Sequence, residues 1–427
     1  MLSSDRLSAP GNRAADRADR LDPGWTLEEI EATRPTVLDG ENGALVVMKA
    51  RRLLPRAWSP EKFGAAWKNQ PPQALLNDDQ AKALRDEMSR VAPAAGEARR
   101  LRYFPRGRFP LGRDPNYFRI KTDSFDSRDV AQLLEADALL RAHDGDAEGA
   151  CDSCRAALNA GRAVGDEPFM ASMIRRIGCN ASAVSALERT IALGELSDED
   201  LQAVGRLLDE ELAEPLLLWG LRGDRAGFHD LSLNLETGTL ALESLEDGED
   251  SHPPRGMGQV SNVWVVPRVK KGHAEGLDLL TDAVEAAQLP VERQAPLFAA
   301  IEARQAGLSP YAALFFGPFS LAKTAKGFGT NQAQLRCAAA ALAAERYRLR
   351  HGRWPASVAG LMPDVPLDPF DGKPLRYRND GEGVIVYSVG PDGIDDGGDR
   401  KTLNTHKDGT DIGFRLWDVD RRRRRAE

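Results

Sequence analysis

Gly352-Arg353-Trp354-Pro355 ends a helical pattern, and Val365-Pro366-Leu367-Asp368-Pro369-Phe370-Asp371-Gly372-Lys373-Pro374-Leu375-Arg376-Tyr377 follows it closely. Upstream, over Asn331–His351, Leu335, Ala338, Ala339, Leu342 and Tyr347 fall near one face at helical spacing. Gly352 suits a left-handed C-cap, and Pro355 cannot continue the helix. Downstream, the pattern predicts a hairpin of Leu375–Arg378 against Val384–Val389, turning through Asn379–Gly383. The segment then runs into Ser388-Val389-Gly390-Pro391-Asp392-Gly393-Ile394-Asp395-Asp396-Gly397-Gly398-Asp399, an acidic glycine loop, and Thr410-Asp411-Ile412-Gly413-Phe414.

That acidic loop carries the clearest chemical signal in the chain. Asp392, Asp395, Asp396, Asp399 and Asp411 lie within twenty residues, interleaved with Gly393, Gly397 and Gly398. Calcium takes six to eight oxygen ligands at about 2.3–2.6 Å on a pliable loop, and carboxylates with bare glycine carbonyls supply them. Unpaired carboxylates this close repel by roughly 1 kcal/mol per near pair in water. Either a cation or the cationic insertion Arg400, Lys401 and Lys407 would relieve that repulsion. The spacing is not that of an EF-hand, which needs a Glu at loop position twelve.

In order, Tyr347, Gly352, Trp354, Pro355, Pro366, Asp368, Pro369, Gly372, Pro374, Tyr377, Tyr387, Ser388, Gly390, Asp392, Gly393, Gly397, Gly398, Asp411 and Ile412 make a specific motif string. On these residues Asn331–Asp418, about a fifth of the chain, resembles the globular head of the major pseudopilins of type II secretion systems. The resemblance implies one helix on a small antiparallel sheet. It also implies a calcium site that orders the C-terminus, with Asp392 and Asp411 at matching positions and Val389 as a backbone carbonyl ligand. With the neighbouring acids the candidate metal set is Val389, Asp392, Asp395, Asp396, Asp399 and Asp411. The whole chain is similar to large cell-envelope proteins of planctomycete-type bacteria that carry such a domain at their C-terminus.

Composition sets the wider frame. The chain has 427 residues, 42% hydrophobic but only 6% aromatic, enough for two or three helix-rich domains. A net charge of −8 argues against general nucleic-acid binding. Arg421–Arg425 reads as a solvated, disordered tail, with anionic lipid or a polyanion as its alternative partner. Cys151, Cys154, Cys179 and Cys337 form no disulfide framework. Cys151-x-x-Cys154 lies in an Ala-rich helical run without a second CxxC or HxxH, which points to structural thiols rather than a zinc or redox site. No apolar run approaches a membrane span, and no signal pattern opens the chain. Read alone, that predicts a cytoplasmic protein. The resemblance instead implies an upstream anchor and the periplasmic face of the envelope.

The expected organisation is mainly α. Residues 1–21 read as a disordered lead-in. A helical region over 22–127 follows, with a capping box at Thr26–Glu29, helices at Asn42–Leu54, Pro60–Lys68 and Asp78–Val91, and an irregular connector over Pro93–Pro115. A helical-hairpin array spans 128–330, with helices at Val130–His143, Asp146–Gly161, Glu167–Cys179, Ala181–Leu193, Asp198–Leu212, Gly272–Gln288 and Val291–Gly307. A loop or weak hairpin is expected near 223–266 and a linker helix at Ala312–Gly329. The C-terminal α+β head at 331–418 and a basic tail at 419–427 complete it.

Gly317-Pro318-Phe319-Ser320-Leu321-Ala322-Lys323-Thr324 imitates a phosphate loop, yet Ala322 and Pro318 act against a cradle built from backbone N–H groups. The same stretch lacks the Glu and the long apolar helix of a prepilin peptidase site. The six histidines are scattered, and no Gly-x-Ser-x-Gly elbow is present. The favoured reading is a non-enzymatic envelope protein, with secretion or envelope proteins as partners of a calcium-binding head. A soluble helical adaptor using its array is the alternative, and a hydrolase the third.

Overall fold

A computed structural model describes residues 9–56, 58, 70–112, 114–120, 122–240, 262–316, 319–362, 364–399 and 411–425. The helices run α1 (Ala9–Leu21), α2 (Leu27–Thr33), α3 (Gly43–Leu53), α4 (Asp78–Arg90), α5 (Ala92–Arg99), α6 (Asp126–Asp144) and α7 (Ala147–Arg162). They continue with α8 (Met170–Leu193), α9 (Asp198–Leu212), α10 (Leu216–Glu236), α11 (Asn262–Ala287), α12 (Ala295–Gln305), α13 (Pro310–Phe316) and α14 (Leu321–His351). Three antiparallel strands follow: β1 (Arg376–Asn379), β2 (Gly383–Ser388) and β3 (Ile412–Trp417), in the order β1-β2-β3. The chain is mainly α with a small C-terminal sheet, as its patterning predicts.

Local signals explain most boundaries. Thr26 and Glu29 form the expected reciprocal capping box, and Ser197 accepts from the Asp200 amide at 3.1 Å. Gly145, with φ of 92°, ends α6 and lets Asp146 cap α7, so α6 and α7 fold back as a hairpin. Helix α8 packs on both, and α10 and α11 form a second antiparallel pair. No helix among the described residues is long and apolar enough to cross a membrane.

Helix α14 joins everything. Its 31 residues span about 46 Å at 1.5 Å per residue. Leu335, Cys337, Ala338, Ala340, Ala341, Leu342 and Ala344 are all buried, and the helix packs on α8, α9 and α12 as well as β2 and β3. Small alanines let the neighbours approach on every side. Strand β2 is buried along its whole length. Its Val384 and Val386, with Phe414 and Leu416 of β3, join the same hydrophobic core as the helices. The β1–β2 hairpin has the expected pairing, Tyr377 opposite Val386 and Asn379 opposite Val384.

Several expectations change. Ala9–Leu21 is helical rather than a disordered lead-in: Ala14 and Ala18 are buried, and Arg17 pairs with Asp278, Asp282 and Glu285 of α11. Within the expected connector, Ala92–Arg99 is helical because Pro93 sits in the first turn, where no amide bond is lost. Glu167–Cys179 and Ala181–Leu193 merge into α8. The run expected as a loop or hairpin from Gly223 is helical as far as Glu236. Its glycines serve packing, since a Cβ at Gly223 would lie 1.8 Å from the Pro168 carbonyl oxygen. The linker over Ala312–Gly329 is two helices, and α14 already starts at Leu321 with Ser320 as its N-cap. The helix expected at Pro60–Lys68 and all of residues 241–261 lie outside the described residues.

The arginine run is ordered rather than a disordered tail, although Arg421, Arg423, Arg424 and Arg425 stay exposed as expected and only Arg422 turns inward. Arg422 Nη2 donates to buried Glu345 of α14 at 2.8 Å, and its other nitrogens reach the Trp417 and Gly194 carbonyls at 3.1 Å. Arg423 donates to Ala142 and Leu193 carbonyls at 2.9 and 2.8 Å, capping α6 and α8 where a cation is favoured. Arg424 exchanges backbone bonds with Gln73 and Leu75. Burial alone would raise the Glu345 carboxyl, yet hydrogen bonds from Arg348 and the charge of Arg422 hold it below the usual range. Arg422→Ala is expected to destabilise the chain by about 3 kcal/mol, the low end for stripping a partner from a buried pair, because Arg348 remains. Urea unfolding at neutral pH reads this directly; a loss under about 0.5 kcal/mol, typical of surface changes, contradicts it.

Candidate functional site

The turn-rich segment before the sheet is built around one carboxylate. Asp368 is fully buried, accepting from the Phe370 amide at 3.0 Å, Ser388 Oγ at 2.8 Å, the Val389 amide at 2.9 Å and Arg376 Nη1 at 2.7 Å. Four donors satisfy it, so it holds the end of β2 against the turn. Tyr377 donates to the Pro355 carbonyl at 2.8 Å and Trp354 Nε1 to Asp418, which tie the helix stop to the sheet.

From Ser388 the chain passes into the acidic loop. Gly397 and Gly398 both have positive φ, 70° and 78°, which L side chains adopt only with strain. Gly398 also rests on β2, since a Cβ there would lie 3.1 Å from the Tyr387 ring. That tight approach aims the Gly398 amide at Asp411 Oδ2, 2.6 Å away. Asp411 is buried, and its Oδ1 has no hydrogen-bond partner. Burial pushes its carboxyl up; the Gly398 and Asp396 amides pull it back, and the charges of Asp395 and Asp396 push it up again, with the net direction upward.

The six residues of the candidate metal set are therefore differently disposed. Asp411 brings an unsatisfied oxygen close to the charges of Asp395 and Asp396. Asp395 is itself engaged, accepting from the Gly397 amide at 3.0 Å and Tyr387 Oη at 3.2 Å and pairing with Arg376 at 3.4 Å. Those contacts, the Gly397 amide foremost, hold its carboxyl below the ordinary range. Asp392 accepts from the Ile394 amide within its own turn. Asp396 is exposed, Asp399 is half-buried and partnered, and Val389 is buried with its amide on Asp368. Among the described residues no three Asp, Glu, His or Cys side chains converge as a metal centre. Arg400, Lys401 and Lys407 lie outside the described residues. An orphaned buried carboxylate oxygen flanked by like charges fits a cation; the oxygens of Asp411 and Asp396 and the loop carbonyls would supply it.

The cysteines are structural thiols. All four are buried and none is in a disulfide, and burial raises Cys151 well above the usual range and takes Cys154 and Cys179 up to about 12. Thiols held neutral are poor ligands and poor nucleophiles.

A buried polar chain lies between α10 and α11. His273 Nδ1 stands 2.8 Å from Glu236 Oε1, and His273 Nε2 stands 3.0 Å from His229 Nδ1. With the Glu236 carboxylate oxygen accepting the His273 Nδ1–H, His273 Nε2 accepts from the His229 Nδ1–H. Trp25 meets His229 edge to face, with centroids 4.8 Å apart. Scattered histidines gave no metal spacing, but His229, Ser232 and Glu236 recur at helical intervals. That signal is visible once Gly223–Glu236 is read as helix.

Neither a family model, nor a curated protein, nor a solved structure matches this chain.

Burial, then the charges of His273 and Arg225, take the His229 imidazole down to about 3. The unfolded chain therefore binds a proton that the folded chain refuses as pH falls from about 6.5 toward 3. This contribution is complete above pH 6.5 and is lost on acidification, at up to about 1.4 kcal/mol per pH unit. His229→Gln should flatten the slope of unfolding free energy against pH by about one proton between pH 6 and 4. Parallel slopes for the two proteins contradict a neutral buried His229.

Proposed function

We propose that this protein is a non-enzymatic structural or interaction protein of the cell envelope, whose C-terminal head binds calcium and docks onto secretion or envelope proteins. The observation that carries the calcium part is the buried, unpartnered Oδ1 of Asp411 beside the charges of Asp395 and Asp396. A divalent cation there removes both the desolvation cost and the mutual repulsion. The envelope location and the class of partner rest on the motif string from Tyr347 to Ile412. Ile394, 59% exposed in the acidic loop, supports docking through this end of the head.

The head is fused to the helical body through α14, so its calcium response belongs to the full chain. Bound calcium would order the loop and lock β3 against β2 through Asp411. A recognition surface made rigid in advance loses less entropy on docking. The Glu236–His273–His229 chain ends against Trp25 rather than at a hydroxyl nucleophile, so it lends the hydrolase reading no support.

Full-length protein should melt a few degrees higher in millimolar calcium than in chelator, and magnesium should not reproduce the rise. Stabilisation reaches about 2.7 kcal/mol when calcium exceeds its Kd a hundredfold. Asp411→Asn should remove the calcium response while leaving the chelator-treated protein at least as stable, because the charge it deletes is unfavourable without metal. Identical transitions in chelator, calcium and magnesium overturn the assignment and leave the loop neutralised by its own cations.

A further inference from the structure

Far from the head, a cavity of about 230 Å³ opens between α2, α10 and the turn around Tyr117. Leu27, Ile120, Leu233 and Tyr117 provide its apolar wall, while Asp230, Asn234 and Asp114 provide its polar groups. Asp230 makes no hydrogen bond or ion pair among the described residues, although it is half-buried. Burial raises its carboxyl to about 6, and the neighbouring charge that acts on it is Glu28, of the same sign.

The unused hydrogen-bonding capacity of this described lining is mostly acceptor. Tyr117 already donates its hydroxyl proton to Asp224 at 2.6 Å. The Asn234 side-chain nitrogen donates one N–H to the Pro115 carbonyl at 2.9 Å and keeps its second N–H, while its oxygen stays open as an acceptor. Asp114 gives one oxygen to the Asn116 amide at 2.8 Å and keeps the other. Both Asp230 oxygens remain. Among the described residues no Lys, Arg or His lines the cavity. A described lining with more free acceptors than donors and with carboxylates as its only charges disfavours a carboxylate or phosphate and suits a group that carries several N–H donors and a positive charge.

We propose that this cavity binds the primary ammonium end of a small aliphatic amine, with Asp230 as its counter-ion and the Tyr117 ring and leucines against its alkyl stem. The Asp230 carboxylate and the Asn234 side-chain oxygen, one helical turn apart on α10, can both accept from an ammonium, whose third donor is left to water or another lining oxygen. Tyr117 adds an aromatic wall of the kind cations favour. At about 30 Å³ per water, the cavity holds roughly eight waters, so the ligand has about that many heavy atoms. The site owes nothing to the acidic loop, and the two assignments stand or fall separately.

The same chemistry can come from a free amine or from a lysine side chain of a partner protein. Titrations of the full chain with n-butylamine, Nα-acetyl-lysine methylamide and n-butanol, followed by chemical-shift changes at residues 227–234, separate these. Saturable binding of either amine, with no response to n-butanol, supports the proposal, and the tighter of the two names the source. Asp230→Asn deletes an uncompensated charge and should fold; it should weaken amine binding about tenfold or more. Ile120→Trp keeps the carboxylate, fills the cavity and should also abolish binding. Absence of saturable binding by both amines, equal binding of n-butanol, or undiminished binding to Asp230→Asn overturns the proposal.

Discussion

Glu345 lies in the middle of the protein with no exposure to solvent, and the rest of the fold is arranged so that its charge is tolerable. A buried carboxylate without partners costs several kcal/mol. Two arginines answer it: Arg348 one turn later on α14, and Arg422 from the far end of the chain. Meeting that demand draws the C-terminus inward. Once Arg422 is anchored, Arg423 reaches the last carbonyls of α6 and α8, and Arg424 pairs with the strand-like segment at Ala74. One electrostatic requirement therefore closes the sheet, the longest helix and the helical hairpins onto a common core.

The same chemistry recurs across the molecule, and its exceptions mark the candidate sites. Asp368 has four donors, and Glu211 is held by Arg176 and Asn180. Asp137 is held by Arg99, Arg141 and Ser153. Against that background, and apart from Glu236 Oε2 in the His273–His229 chain, buried Asp411 Oδ1 and half-buried Asp230 stand out as carboxylates with too few donors among the described residues. Buried polar groups are normally paired, so an unpaired one calls for a ligand. One exception sits beside a glycine loop with further carboxylates and suits a divalent metal. The other faces an apolar wall and suits an organic cation.

Most of the head was legible in sequence because its signals are local. Gly352 stops a helix by its left-handed φ, and the β1–β2 hairpin follows from alternation and turn residues. Capping at Thr26 and Ser197 was equally local. What escaped depends on partners distant in the chain. Nothing near Arg421–Arg425 announces Glu345, so five arginines looked like solvated charge. Gly223 and Gly227 looked like loop residues, whereas each accommodates a close neighbour, the Pro168 carbonyl and the Tyr117 ring. That misreading hid the helix carrying His229, Asp230 and Glu236. Of the acidic loop, sequence supplied the carboxylates, but only the fold separates the engaged Asp395 from the unsatisfied Asp411.

Helix α14 belongs at once to the helical body and to the sheet, locked by Glu345 and the arginine tail. Native-state hydrogen exchange of the full chain should show it: amides of Ala333–Ala344 in α14, of β2 and of α8 exchange only through global unfolding, with one shared opening free energy. If β2 and β3 instead exchange through a separate, lower-energy opening while α8 and α14 stay protected, the head is an independent unit and the account is wrong.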